Sequence, residues 1–193
     1  MDFPIKVRAL CNKHKIGLHL DGARCFNAIH KHDLFSEEGI LKFAEPYDSI
    51  SICLSKSVGA PVGSVLVGTE AFIAKARRIR KALGGTMRQT GVISSAGIYG
   101  LEQNAPRMGE DNKRARKIYE FAVNELGLQA ECDTNGVFLI VEDSVKLVAA
   151  LKEKDILAVP MPPNMIRMMF HLHVGDGEVV RIMDALKEVV KKN

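Results

Sequence analysis

Apolar and polar positions change period several times along this chain. "FPIKVRALCNKHK" spaces its apolar residues along one helical face, and "IGLHLD" then reads as a short buried strand ending in polar residues, which together make half of an α/β unit. "DSISICLS" alternates and is β-branched-rich, and "GSVLVG" is a compact apolar strand. "TEAFIAKARRIRKALGG" predicts a helix with Thr69 as N-cap, Glu70 in the first turn, a basic last turn and glycines at the end. Further helices are predicted over residues 89–104 and 106–125. Beyond the turn-rich break "GLQAECDTNG" the pattern predicts a strand over 137–141, a helix over 144–154, a short strand at 158–159, a strand over 165–172 and an amphipathic helix over 177–191.

This order places a boundary near Pro106. Residues 1–105 read as part of a mixed, mostly parallel α/β sheet with helices, and residues 106–193 as a small α+β domain. The 193 residues are 47% apolar and 26% charged, ordinary values for a globular protein. No apolar run reaches the roughly 18 residues of a membrane span, and "MDFPIKVRAL" lacks the layout of a signal peptide, so a cytoplasmic protein without a membrane partner is expected. Cys11, Cys25, Cys53 and Cys132 show no metal-knuckle spacing and read as free thiols. The net charge of +4 is spread over helices among acidic residues, and no nucleic-acid partner is expected.

Chemistry concentrates at two stretches. In "SISICLSKSVGAPVGS", Lys56 follows a predicted buried strand, where desolvation would favour the neutral, nucleophilic amine. Ser55, Ser57, Gly59 and Gly63 around it offer hydroxyls and approachable backbone amides that suit a phosphate. The glycines follow the lysine, which excludes a P-loop. In "LHLDGARCFNA", Asp21 and Arg24 lie just past a predicted strand end, where ligands of open α/β sheets bind. A carboxylate there can pair with a protonated pyridine nitrogen, and Arg24 can reach the same ring or steady Asp21. Taken singly, Lys56 also reads as a surface lysine and Asp21 as a turn residue.

Together, "HLDGAR", "SISICLSKSVGAPVGSVLVG", "ARRIRKALGGTMRQTG" and "IRMMFHLHV" resemble, in order and spacing, the motifs of low-specificity L-threonine aldolases, pyridoxal-phosphate enzymes of the aspartate-aminotransferase fold type. The resemblance implies a transferase-like large domain, here partial, and a homo-oligomer, dimer or tetramer. It implies Lys56 as Schiff-base lysine, Asp21 as partner of the ring nitrogen and Arg24 as its neighbour, with Lys81 and Arg88 near the cofactor phosphate and Arg167 on the substrate carboxylate. The implied reaction is cleavage of threonine or allo-threonine to glycine and acetaldehyde. A β-eliminating lyase or an aminotransferase of the same fold type is the alternative within the class.

The family's chains are longer, and this one begins just before "HLDGAR". The resemblance therefore implies that the phosphate-contacting loop and the ring-stacking histidine come from sequence outside this chain or from another chain. A remnant that only associates with full-length subunits is the reading from a different class. His171 and His173 alternate in "FHLH" and would face one side of a strand, but no third ligand is apparent and no metal is expected. His19, on the buried-looking strand, reads as structural. "KARRIRKALGG" reads as a helix with one packed and one solvated face.

Overall fold

The computed structural model describes residues 2–191. The chain divides after Pro106 into two compact units.

In the first unit, helix α1 (Asp2–His14) precedes strand β1 (His19–Asp21), helices α2 (Cys25–Lys31) and α3 (Glu37–Ala44), and strand β2 (Ser49–Cys53). Strand β3 (Ser64–Gly68), helix α4 (Glu70–Ala82) and helix α5 (Gly91–Tyr99) follow, and α5 runs into a π-helix, Gly100–Asn104. The sheet order is β1-β2-β3, with β1 parallel and β3 antiparallel to β2. The α2–α3 connection is what lets β1 and β2 run parallel, because a crossover is needed. Its apolar residues Cys25, Ile29 and Phe43 form a buried cluster with Leu20 and Ile52 of the strands packed against it.

Local signals start these helices as the sequence suggests. The Thr69 hydroxyl accepts the Phe72 amide at 3.3 Å at the head of α4, and the Ser36 hydroxyl accepts the Gly39 amide at 3.0 Å at the head of α3. The burial expected of β1 is not found. β1 and β3 are largely exposed, Leu66 and Val67 included, because they are the outer strands of a three-stranded sheet.

In the second unit, helix α6 (Met108–Asn124) leads to a hairpin of β4 (Gln129–Asp133) and β5 (Gly136–Ile140), then to helix α7 (Ser144–Lys152), strands β6 (Val159–Met161) and β7 (Met165–Met169), and helix α8 (Asp176–Lys191). The antiparallel order is β4-β5-β7-β6. Val137 and Leu139 stand opposite Met168 and Ile166 on one face, and this face joins a buried core with Ile118, Leu151 and Leu186 of the helices. Residues of the alternate register, Phe138 and Arg167 among them, lie on the other face.

Candidate active site

Parallel pairing brings the two chemical stretches to one edge. Asp21, the last residue of β1, stands opposite Ser51, and the Gly22 amide donates to the Ser51 carbonyl at 2.8 Å. A Cβ at Gly22 would lie 2.8 Å from that carbonyl oxygen, so the lack of a side chain is what lets the chain cross β2 here. Asp21 is exposed, and its Oδ1 accepts the Ala23 amide at 3.1 Å. Arg24, half-buried, caps α2 without a side-chain capping bond.

β2 leaves the sheet at this same end and enters the loop that carries Ser55 and Lys56. Leu54, Ser57, Val58 and Ala60 are buried, whereas Ser55, Lys56 and Gly59 are exposed. The loop is closed by its own backbone: Gly59 donates to the Lys56 carbonyl at 2.8 Å, Ala60 to the Leu54 carbonyl at 2.9 Å and Leu54 to the Gly63 carbonyl at 3.0 Å. The desolvation expected for Lys56 from sequence is not present in this chain, because the preceding strand ends at Cys53 and the lysine lies in the exposed bend beyond it.

Two features of this loop escape sequence reasoning. The buried side chain of Asn104 donates to the Val58 carbonyl at 2.8 Å from a position 46 residues away. The Cys53 sulfur lies 3.4 Å from the Ser55 hydroxyl, and that contact, with the nearby Lys56 charge adding to it, brings the thiol below its ordinary pKa. Cys25, buried at the start of α2, is pushed up to about 11 by desolvation. The composition of "SAGIYGLEQN" carries no signal for the first contact, since it depends on a π turn.

The other residues singled out by sequence stand elsewhere. Lys81 lies in the last turn of α4 and Arg88 follows the helix, in a segment that is exposed throughout, residues 81–90. Arg167 belongs to the second unit, in β7, between Phe138 of β5 and Val159 of β6. Its Nε is buried without a hydrogen-bond partner, and among the described residues no carboxylate lies within ion-pair distance. β7 ends at Met169, so His171 and His173 lie beyond the strand rather than along one of its faces, with ring centroids 5.8 Å apart. No group of three candidate metal ligands occurs among the described residues. His19 is exposed rather than buried, because β1 is an outer strand, and its Nδ1 lies 2.8 Å from the Ser49 hydroxyl.

Residues 1–144 match the beta-eliminating lyase family. The chain belongs to this family. Among curated relatives it is 36% identical over 187 residues to low-specificity L-threonine aldolase 1 of Arabidopsis thaliana, covering 93% of this chain and 51% of that one. It is 36% identical over 173 residues to the low specificity L-threonine aldolase of Escherichia coli K12, covering 88% of this chain and 50% of that one. The chain thus spans about half the length of the curated relatives it matches. Among solved structures, a putative L-allo-threonine aldolase of Listeria monocytogenes superposes with a TM-score of 0.78 at 18% identity, over 96% of this chain and 55% of that one. A threonine aldolase of Leishmania major superposes with a TM-score of 0.72 at 20% identity, over 95% of this chain and 55% of that one. The fold is therefore the mixed α/β fold of these enzymes, represented here by part of its sheet.

Proposed function

We propose that this chain provides the lysine-bearing part of a pyridoxal-phosphate site that cleaves threonine and allo-threonine to glycine and acetaldehyde. The observation that carries this reading is the parallel β1–β2 pair, which delivers Asp21 and the Lys56 loop to the same C-terminal edge of the sheet. Membership of a lyase family and relatives that are threonine aldolases support the reaction class.

The residues at this edge fit the cofactor. Asp21 engages the Ala23 amide through Oδ1, which leaves its second oxygen open, and Lys56 projects from a loop whose base is buried. When bound, pyridoxal phosphate supplies a conjugated electron sink for the electron pair of the breaking Cα–Cβ bond. Lys56 would hold it covalently through Nζ. Asp21 would keep a proton on the ring nitrogen, and Arg24 would steady that carboxylate. The Ser55 hydroxyl, with Lys81 and Arg88, would take the phosphate. Arg167, whose buried Nε has no hydrogen-bond partner among the described residues, would grip the substrate carboxylate through its planar fork. That grip fixes which bond at Cα is broken. The reading extends to a cytoplasmic location and to a homo-oligomer, the latter supported by the exposed apolar residues Leu66, Val67, Phe72 and Leu83 of the first unit.

The test is acetaldehyde release from threonine with pyridoxal phosphate, measured on this chain alone and after adding the N-terminal half of a threonine aldolase relative. Little release alone and clear release after addition is expected. No release in either mixture, with the two parts shown to associate, would favour a non-catalytic remnant. Pyruvate or a keto acid from amino-acid substrates in place of acetaldehyde would assign a different enzyme of the fold.

A further inference from the structure

We propose that Asn104 is the positioning residue for Lys56, acting through the Val58 carbonyl. The proposal rests on the reading of Lys56 as the cofactor-bearing lysine. The lysine side chain is exposed, so its direction is set by the backbone turn from which it springs. That turn runs from Lys56 to Gly59 and is closed by one bond, the Gly59 amide to the Lys56 carbonyl at 2.8 Å.

Within it, the Val58 carbonyl is held by the Asn104 side-chain amide at 2.8 Å, a buried bond between residues 3% and 8% exposed. Two glycines leave room for it. A Cβ at Gly100 would lie 2.4 Å from the Val58 oxygen, and a Cβ at Gly59, where φ is +81°, would lie 2.9 Å from the Asn104 nitrogen. Gly100 and Asn104 are the first and last residues of the π-helix, so the irregular turn sets both the close approach and the donor. Inserted π turns recur at functional sites because they redirect a side chain that a regular helix would aim elsewhere. Removing the donor leaves a buried carbonyl unpaired, and the turn can relieve this only by moving Val58 and, with it, Lys56.

The test compares the wild-type chain with Asn104→Ala, with the near-isosteric Asn104→Asp, and with Ile29→Ala, which removes a core side chain of the same unit. The first readout needs no cofactor: amide hydrogen exchange of Gly59 relative to that of Ser51 in β2. This ratio should rise about tenfold in both Asn104 variants, as loss of a buried hydrogen bond implies, and stay put in Ile29→Ala. The second readout is the pH midpoint of the yellow absorbance formed with pyridoxal phosphate, which should move in the Asn104 variants and not in Ile29→Ala. An unchanged exchange ratio overturns the proposal. So does a raised ratio with an unmoved pH midpoint, since Asn104 would then brace the loop without aiming the lysine. A wild-type chain that forms no yellow species, alone or with the N-terminal half of a threonine aldolase relative added, overturns the reading of Lys56, and the exchange ratio still decides whether Asn104 holds the turn.

Discussion

Asp21 stands opposite Ser51 in a parallel strand pair, and the Gly22 amide beside it is bonded to the Ser51 carbonyl at 2.8 Å. Five residues beyond Ser51, in the bend that follows the same strand, stands Lys56. The carboxylate and the amine therefore leave the sheet from one edge, and the account of function depends on that shared edge.

Replacing Asp21 by Ala removes the group assigned to the ring nitrogen while leaving the attachment lysine in place. In an assembly that cleaves threonine, turnover should fall by about a hundredfold or more, the order associated with losing an interaction of about 3 kcal/mol in the transition state. Cofactor affinity should change far less. Steady-state rates beside a cofactor titration separate the two, and an unchanged rate would reduce Asp21 to the turn residue that its bond to the Ala23 amide also describes.

Arg167→Lys retains the charge and loses the planar pair of donors. The Michaelis constant for threonine should rise about tenfold or more, as expected when a charge-assisted bidentate contact becomes a single one. A normal constant would move carboxylate binding to another cation, with Arg24 the next candidate.

Two of the three thiols of the first unit, Cys25 and Cys53, should react very differently. Cys25 is buried and pushed up to about 11, whereas Cys53 is lowered by its contact with Ser55 and is half-buried at the end of β2. Iodoacetamide at neutral pH should label Cys53 well before Cys25, because the thiolate is the reacting form. Pyridoxal phosphate should slow labelling of Cys53, three residues before Lys56. Peptide mass spectrometry over a time course reads both effects, and faster labelling of Cys25 would contradict the described packing.

A pH effect should appear where α1 meets the sheet. The Leu18 amide and the Arg8 guanidinium donate to the same Asp48 oxygen, at 2.6 and 2.7 Å, and hold its carboxyl below the ordinary value. A folded value below the unfolded one means that the stabilisation is complete above the unfolded pKa and is lost as pH falls through the folded one. Asp48→Asn should therefore lower the unfolding temperature slightly at neutral pH and flatten its decline in acid. An equal loss at every pH would remove the assigned role of the charge.

Much of this architecture was legible because local signals and global fold agree. Thr69, Glu70 and the basic last turn foretold α4, and the β-branched alternation of "SISIC" foretold β2. β4 was hidden: Gln129, Glu131 and Asp133 face outward and Ala130 and Cys132 inward, so "QAECD" carries too little apolar character to stand out from the turn residues around it. The short helices α2 and α3 gave too few turns for a clear period. The candidate residues at the strand ends were legible because Asp21 and Lys56 sit in motifs. Their surroundings were less so. "IGLHLD" suggested burial from apolarity alone, yet burial depends on what packs against a strand, and Asn104 reaches Val58 only through a tertiary contact.

The central claim is that Lys56 carries pyridoxal phosphate, and covalent trapping tests it most directly. The chain, with an N-terminal half from a relative if binding requires it, is incubated with pyridoxal phosphate, reduced with borohydride and digested for peptide mass mapping, alongside Lys56→Ala. The account predicts cofactor mass on the peptide containing Lys56, lost in Lys56→Ala with little change in stability because the side chain is exposed. Stoichiometric label on Lys81 or another lysine, persisting in Lys56→Ala, would contradict it.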